Sequence, residues 1–117
     1  MAVTVTTLKD RADFLRLRNG RKSVTPYFIL RMATSDVAEQ SSARVGYTVT
    51  TKCGNAVIRN RIKRRLRALV REIFTQSAKP GHDYILIALD RANPSAAVAP
   101  IAELRIALQR AIDAVHR

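Results

Sequence analysis

Lys52-Cys53-Gly54-Asn55-Ala56-Val57-Ile58-Arg59-Asn60-Arg61-Ile62-Lys63-Arg64-Arg65-Leu66-Arg67, continuing through Ala68-Leu69-Val70-Arg71-Glu72-Ile73-Phe74, separates into two faces when wound as a helix. Ile58, Ile62, Leu66, Leu69 and Ile73 fall on one apolar stripe at helical spacing. Asn60, Arg64, Arg67 and Arg71 form a second stripe on the opposite side, with Arg61 and Arg65 beside it. From Lys52 to Arg71 there are eight Lys or Arg and no acid. Like charges at i,i+4 cost a few tenths of a kcal/mol per pair in a free helix. A helix that accepts several of these costs together points to an external polyanion. The competing reading is a basic face that is merely solvated, although such faces normally mix signs. Asn55 stands where a helix N-cap is needed, and the helix start it caps can receive a phosphate oxygen.

Around this helix the composition narrows the class. The 117 residues suit one domain with a real core, since 47% are apolar. Lys and Arg number 21 against 9 acids, a formal charge of +12. That excess implies salt-sensitive attraction to nucleic acid or to an anionic membrane. The membrane is disfavoured, because no apolar run approaches the roughly 20 residues of a spanning helix and the amino end lacks a signal-peptide core. The single cysteine, Cys53, excludes an internal disulfide and suits a reducing cytoplasm. With only His82 and His116 beside it, no zinc constellation is recognisable.

Outward toward the amino end, Arg44–Thr51 reads as a strand, with Val45, Tyr47 and Val49 on one side and Gly46, Thr48 and Thr50 on the other. The small and hydroxyl side would leave a shallow groove. Residues 34–43 read as a polar loop and Val24–Ala33 as an earlier strand, with Pro26 marking an edge or a start. A short helix is expected over Arg11–Arg18, capped by Asp10 and stopped at Asn19-Gly20. Residues 1–9 read as an irregular arm. Toward the carboxyl end, Tyr84–Leu89 is a strand after the Pro80-Gly81 turn. Strand, helix and strand in this order suggest a parallel β-α-β pair. After a turn at Asp90–Pro94, residues 95–117 read as a second long helix, interrupted or restarted at Pro100.

Little chemistry is visible in the chain itself. The acids are scattered, and Asp83 and Asp90 stand at opposite ends of a strand, roughly 20 Å apart by strand rise, too far to share a metal. By residue pattern alone, Phe14 is a core anchor of the first helix. Two non-enzymatic classes compete on charge: a basic ribosomal or RNA-chaperone protein, and a DNA-binding module that lays the basic helix in a major groove.

The run Lys52–Arg67 resembles the signature of the bacterial ribonuclease P protein family, approximately K-x-G-N-A-V-x-R-N-R-x-K-R with a further Arg downstream. The likeness continues at Asp13-Phe14, Arg44-Val45-Gly46 and Asp83-Tyr84-Ile85, and covers about residues 8–112. It implies a single-domain α/β sandwich in the order αβββαβα, with a central sheet and an unusual left-handed β-α-β crossover. It also implies a ribonucleoprotein whose catalytic RNA, with Mg2+, removes the 5′ leader of precursor tRNA. The protein binds no cofactor of its own, and no protein partner is implied.

The resemblance assigns Asn55, Arg59, Asn60, Arg61, Lys63, Arg64, Arg65 and Arg67 to the catalytic RNA. A cleft between the first helix and the sheet is expected to take the single-stranded leader through Phe14, Arg18, Phe28, Arg31, Thr48, Thr50 and Lys52. Arg18 and Arg31 stand where the family commonly has aromatics, so the cleft is expected to trade stacking for guanidinium planes, which also stack on bases.

Overall fold

Alternating side chains give the strands two unlike faces, and the molecule uses each face differently. The computed structural model describes residues 3–9, 11–35, 42–90 and 95–117. Its strands are β1 (Thr4–Thr7), β2 (Arg21–Val24), β3 (Phe28–Thr34), β4 (Ser42–Thr48) and β5 (His82–Ala88). They form one sheet in the order β1-β4-β5-β3-β2. β4 pairs parallel with both β1 and β5, whereas β3 pairs antiparallel with β5 and β2. The helices are α1 (Arg11–Leu17), α2 (Ala56–Ser77) and α3 (Ile101–Val115), with a short 3-10 turn at Thr51–Cys53. From α1 onward the order is the αβββαβα expected, and β4, α2 and β5 form the parallel β-α-β unit.

One face of the sheet presents Phe28, Leu30, Val45, Tyr84 and Leu86 to α2 and α3, and this is the main core. On α2 the buried positions include Ile62, Leu66, Leu69 and Ile73, as the stripe requires, joined by Val70 and Phe74. Full burial of such a side chain contributes about 1.5–3 kcal/mol. Ile58 departs from the stripe and is 36% exposed. It sits in the first turn of α2 and folds back over Gly54, where an added Cβ would come within 2.9 Å of it. The opposite face of the sheet carries the smaller cluster of Leu8, Leu17 and Ile85, with Phe14, Ala33 and Ile87 packed against it under α1.

Four expectations need correction. Residues 1–9 are not wholly irregular, because Thr4–Thr7 adds a parallel edge strand to β4. Val3 and Leu8 clamp its ends: each is buried, Val3 N–H donates to the Thr75 carbonyl (2.7 Å) and Leu8 N–H to that of Val45 (2.9 Å). The strand expected at Val24–Ala33 is two strands joined by a turn. Pro26 cannot donate to a ladder, and the Thr25 hydroxyl accepts from the N–H groups of Tyr27 and Phe28. β4 begins at Ser42 and ends at Thr48, so Thr50 lies beyond it. α3 starts at Ile101, immediately after Pro100, and residues 95–99 form turns instead of helix. The Asp10 cap, residues 36–41 of the expected loop and residues 91–94 of the expected turn lie outside the described residues.

Candidate nucleic-acid interface

The start of α2 is built as its sequence requires. Asn55 takes extended backbone, and its Oδ1 accepts from the Ile58 N–H at 3.0 Å, which satisfies one of the open donors of the first turn. Beyond it the apolar stripe turns inward and fixes what faces out. Asn60, Arg64, Arg67 and Arg71 are exposed, while Arg59 and Lys63 are half-buried on the flank. Among the described residues, none of Arg59, Arg61, Lys63, Arg64, Arg65, Arg67 and Arg71 is ion-paired with a carboxylate. Arg67 instead lies over the Tyr47 ring, its guanidinium carbon 5.6 Å from the ring centre.

Arg61 and Arg65 have a second occupation. They lean toward α3, where Arg61 Nε donates to the Ala97 carbonyl (2.8 Å) and Arg65 Nη1 to that of Ala96 (2.7 Å). Arg65 Nη2 also donates to the Ala99 carbonyl. These two side chains hold the turns that lead into α3, and burial, followed by the Arg61 charge, lowers the Arg65 pKa. Periodicity placed them beside the outer stripe but had no way to show that a backbone segment some 30 residues on would claim them.

On the other face of the sheet, α1 stands over a groove of about 280 Å3. Phe14, Arg18, Arg31 and Thr48 line it together with Arg11, Leu15, Ile85 and Ile87. The Phe14 ring rests on the strand at Gly46, where a Cβ would come within 2.6 Å of the ring. Any side chain at Gly46 would therefore lift α1. Arg31 Nη1 donates to the Arg18 carbonyl at 2.8 Å and so closes the carboxyl end of α1. Thr50 and Lys52 are exposed past the end of β4 and are not part of the groove's lining. Phe28 is not in the groove. It points from β3 into the main core and is fully buried, because β3 alternates Phe28, Leu30 and Met32 on the α2–α3 side with Arg31 on the α1 side.

What holds α1 in place was not read from the sequence as a site. The Asp83 carboxylate on β5, with no exposure, accepts from Arg44 Nε (2.8 Å) and Nη2 (2.7 Å) on β4, and from Arg16 Nη2 on α1. Arg16 also pairs with Asp13 (3.2 Å) and donates to the Thr34 carbonyl (2.6 Å). Two acids and two arginines thus bolt α1 to three strands. Asp13, Arg44 and Asp83 are the outlying positions that carried the resemblance beyond the basic helix, and the same short segments supply Phe14 and Gly46. A larger hollow, about 600 Å3, lies between β2 and α3, away from both the basic stripe and the groove.

An acid-free helix face and an aromatic-bearing groove, on opposite sides of one sheet, define a basic α/β protein with two arginine-rich surfaces. The comparisons with known proteins make this particular. The ribonuclease P family profile matches residues 4–113. The ribonuclease P protein component of Bartonella quintana is 48% identical over 85 residues, spanning 69% of this chain and 64% of that protein. That of Brucella suis is 40% identical over 113 residues, spanning 92% and 77%. The solved structures of the RNase P proteins of Staphylococcus aureus and Thermotoga maritima share the fold at 24% identity. Each has a TM-score of 0.74, covering 92% and 89% of this chain and 93% and 92% of theirs. The chain belongs to the ribonuclease P protein family, the protein component of the ribonucleoprotein of tRNA 5′ processing.

Proposed function

We propose that the two faces divide the work of the ribonucleoprotein: α2 docks on the catalytic RNA, and the groove under α1 holds the 5′ leader of precursor tRNA. The observation that carries this reading is the Phe14 ring, seated on Gly46 and flanked in one lining by Arg18 and Arg31. A groove with one aromatic platform and three guanidinium groups, those of Arg11, Arg18 and Arg31, suits a single strand, which offers both base faces and phosphates. It does not suit a duplex, and the absence of acids from Lys52 to Arg71 suits the exposed backbone of a folded RNA. Thr48 lines the leader path, and Thr50 and Lys52 extend it. Asn55, Arg59, Asn60, Lys63, Arg64 and Arg67 form the RNA-docking side, with Arg61 and Arg65 bracing it while they hold residues 96–99.

The bond-breaking chemistry belongs, in this reading, to the RNA and its Mg2+. Asp13 and Asp83 are occupied by Arg16 and Arg44, and no group of three His, Cys, Asp or Glu side chains is gathered among the described residues. The described residues therefore do not fit a magnesium site. A cytoplasmic place of action agrees with the free Cys53. No helix among the described residues is long and apolar enough to cross a membrane.

Reconstitution with the catalytic RNA tests the groove. Phe14→Ala is expected to weaken affinity for precursor tRNA about fivefold or more, since stacking is worth about 1–3 kcal/mol per base, and to leave mature tRNA unaffected. An equal loss for both substrates, or none for either, would remove the leader from the groove.

A further inference from the structure

The outer stripe of α2 continues past the helix onto the edge of the sheet. There Arg67 and Arg71 border a small hollow of about 130 Å3 between α2, β4 and β1, with Tyr47 and Thr7 opposite them and the apolar Val5 and Val70 also in its lining. The Arg67 guanidinium carbon lies 5.6 Å from the Tyr47 ring centre, and the charges of Arg67 and Arg71 oppose the burial that pushes the Tyr47 pKa up to about 12. Neither arginine has a carboxylate partner among the described residues. β1 is an edge strand. Because Leu8 N–H bonds the Val45 carbonyl, the alternation of a parallel ladder turns the Val5 and Thr7 N–H groups away from β4, toward the open edge. Guanidinium, phenol and hydroxyl groups thus meet around one hollow without an acid, beside an edge strand with open backbone donors. Two arginines four residues apart repel each other unless an anion lies between them. The hollow is well below the roughly 300 Å3 of a small-molecule pocket, so it admits a backbone group and not a whole nucleotide.

We propose that this notch binds a phosphate of the structured RNA partner's backbone, and that Arg71 and Tyr47 are RNA contacts in addition to the arginines already assigned on α2. The proposal rests on the reading of α2 as the RNA-docking helix and extends that interface across β4 onto β1.

The test uses the full chain and a transcript of the catalytic RNA, with affinity measured over a range of salt on variants of unchanged melting temperature. Arg71→Ala is expected to lower affinity about tenfold or more and to flatten the slope of log affinity against log salt by about one unit, the equivalent of one phosphate. Arg71→Lys should keep the slope and lose part of the affinity, because a point charge replaces a fork. Tyr47→Phe should cost about threefold with the slope unchanged, a neutral donor having been removed. Arg110→Ala, exposed on α3 beside β2, the sheet edge opposite β1, should change neither quantity. An unchanged slope for Arg71→Ala, or an equal effect from Arg110→Ala, overturns the notch. If Arg64→Ala with Arg67→Ala still weakens binding in that case, the docking role of α2 survives and only the notch is lost. If that double variant also binds normally, the reading of α2 falls with it.

Discussion

Asp83 is a fully buried carboxylate, and its two oxygens are shared between guanidinium groups from different elements. Charges withdrawn from water in this way hold a geometry more than they add net stability, and removing one partner leaves the others uncompensated. Asp83→Asn is therefore expected to cost about 3–5 kcal/mol in urea unfolding, through Arg16 and Arg44 left beside a neutral amide. Asp13→Asn, at a partly exposed pair, should cost far less. His116 supplies a pH dependence at the same scale. Burial, then the charges of Lys79 and His82, lower its pKa from 6.5, with Asp113 opposing them. Its Nε2 lies 2.8 Å from the Tyr84 hydroxyl, which itself accepts from the Lys79 N–H. Because the folded value is below the unfolded one, the unfolded chain takes up the proton first as pH falls. Stability from this group is complete above about 6.5 and is lost as pH drops through the lower folded value. The melting temperature should fall between pH 7.5 and 5.5, and His116→Gln should flatten that fall; an identical profile for the variant would acquit His116.

Between elements, α2 carries two separable jobs. Leu66 is fully buried and Arg64 and Arg67 are exposed, so packing and charge respond to different substitutions. Leu66→Ala should cost about 2–5 kcal/mol through a cavity where α2 meets the sheet, and should affect RNA binding only as far as the protein unfolds. Arg64→Ala with Arg67→Ala should hold the melting temperature within a few degrees, or raise it by relieving repulsion along the helix. The salt slope for the catalytic RNA should flatten by about one unit for each phosphate no longer neutralised. A slope indistinguishable from the parent protein, on material shown to be folded, would mean that the face is only solvated. α1 is the contrasting case. It has seven residues, too few to hold itself, and depends on Leu17, Phe14 and the Asp83 cluster for its place.

Across the whole molecule the sheet acts as a partition, with the core and the basic helix α2 on one side and the groove under α1 on the other. In the proposed reading the bond-breaking chemistry lies in the RNA, and among the described residues no three His, Cys, Asp or Glu side chains gather. Asp90 is exposed past the end of β5, and His82 is turned toward the Pro80 carbonyl, 3.0 Å from its Nδ1. Asp90→Ala and His82→Ala are accordingly expected to leave cleavage of precursor tRNA by the reconstituted complex within about tenfold of the parent rate. A loss beyond about a thousandfold with unchanged thermal stability, the scale of an essential catalytic group, would place the chemistry in the protein after all.

The 4, 4, 3, 4 spacing from Ile58 to Ile73 and the acid-free run beside it specify α2 by local pattern alone, and that same run identifies the family. The Asn55 cap and the small groove face of Gly46 and Thr48 are equally local, resting on side-chain size and backbone preference. The fate of residues 4–7 was not local, because four β-branched residues, three of them threonines, become a strand only when the β4 edge is present to pair with them. Nor was the placement of Phe28. An aromatic on a strand is apolar whichever way it points, and only the packing of α2 and α3 against that side of β3 decides that it faces the core. Phe14 shows the converse, half-buried because Gly46 lets it lie on the sheet while α1 keeps the groove open. Charge behaves the same way. Sequence counts Arg16, Arg44, Arg61 and Arg65 with the other cations, but tertiary structure commits the first pair to Asp83 and the second to backbone carbonyls, because charge is long-ranged in sequence and short-ranged in space.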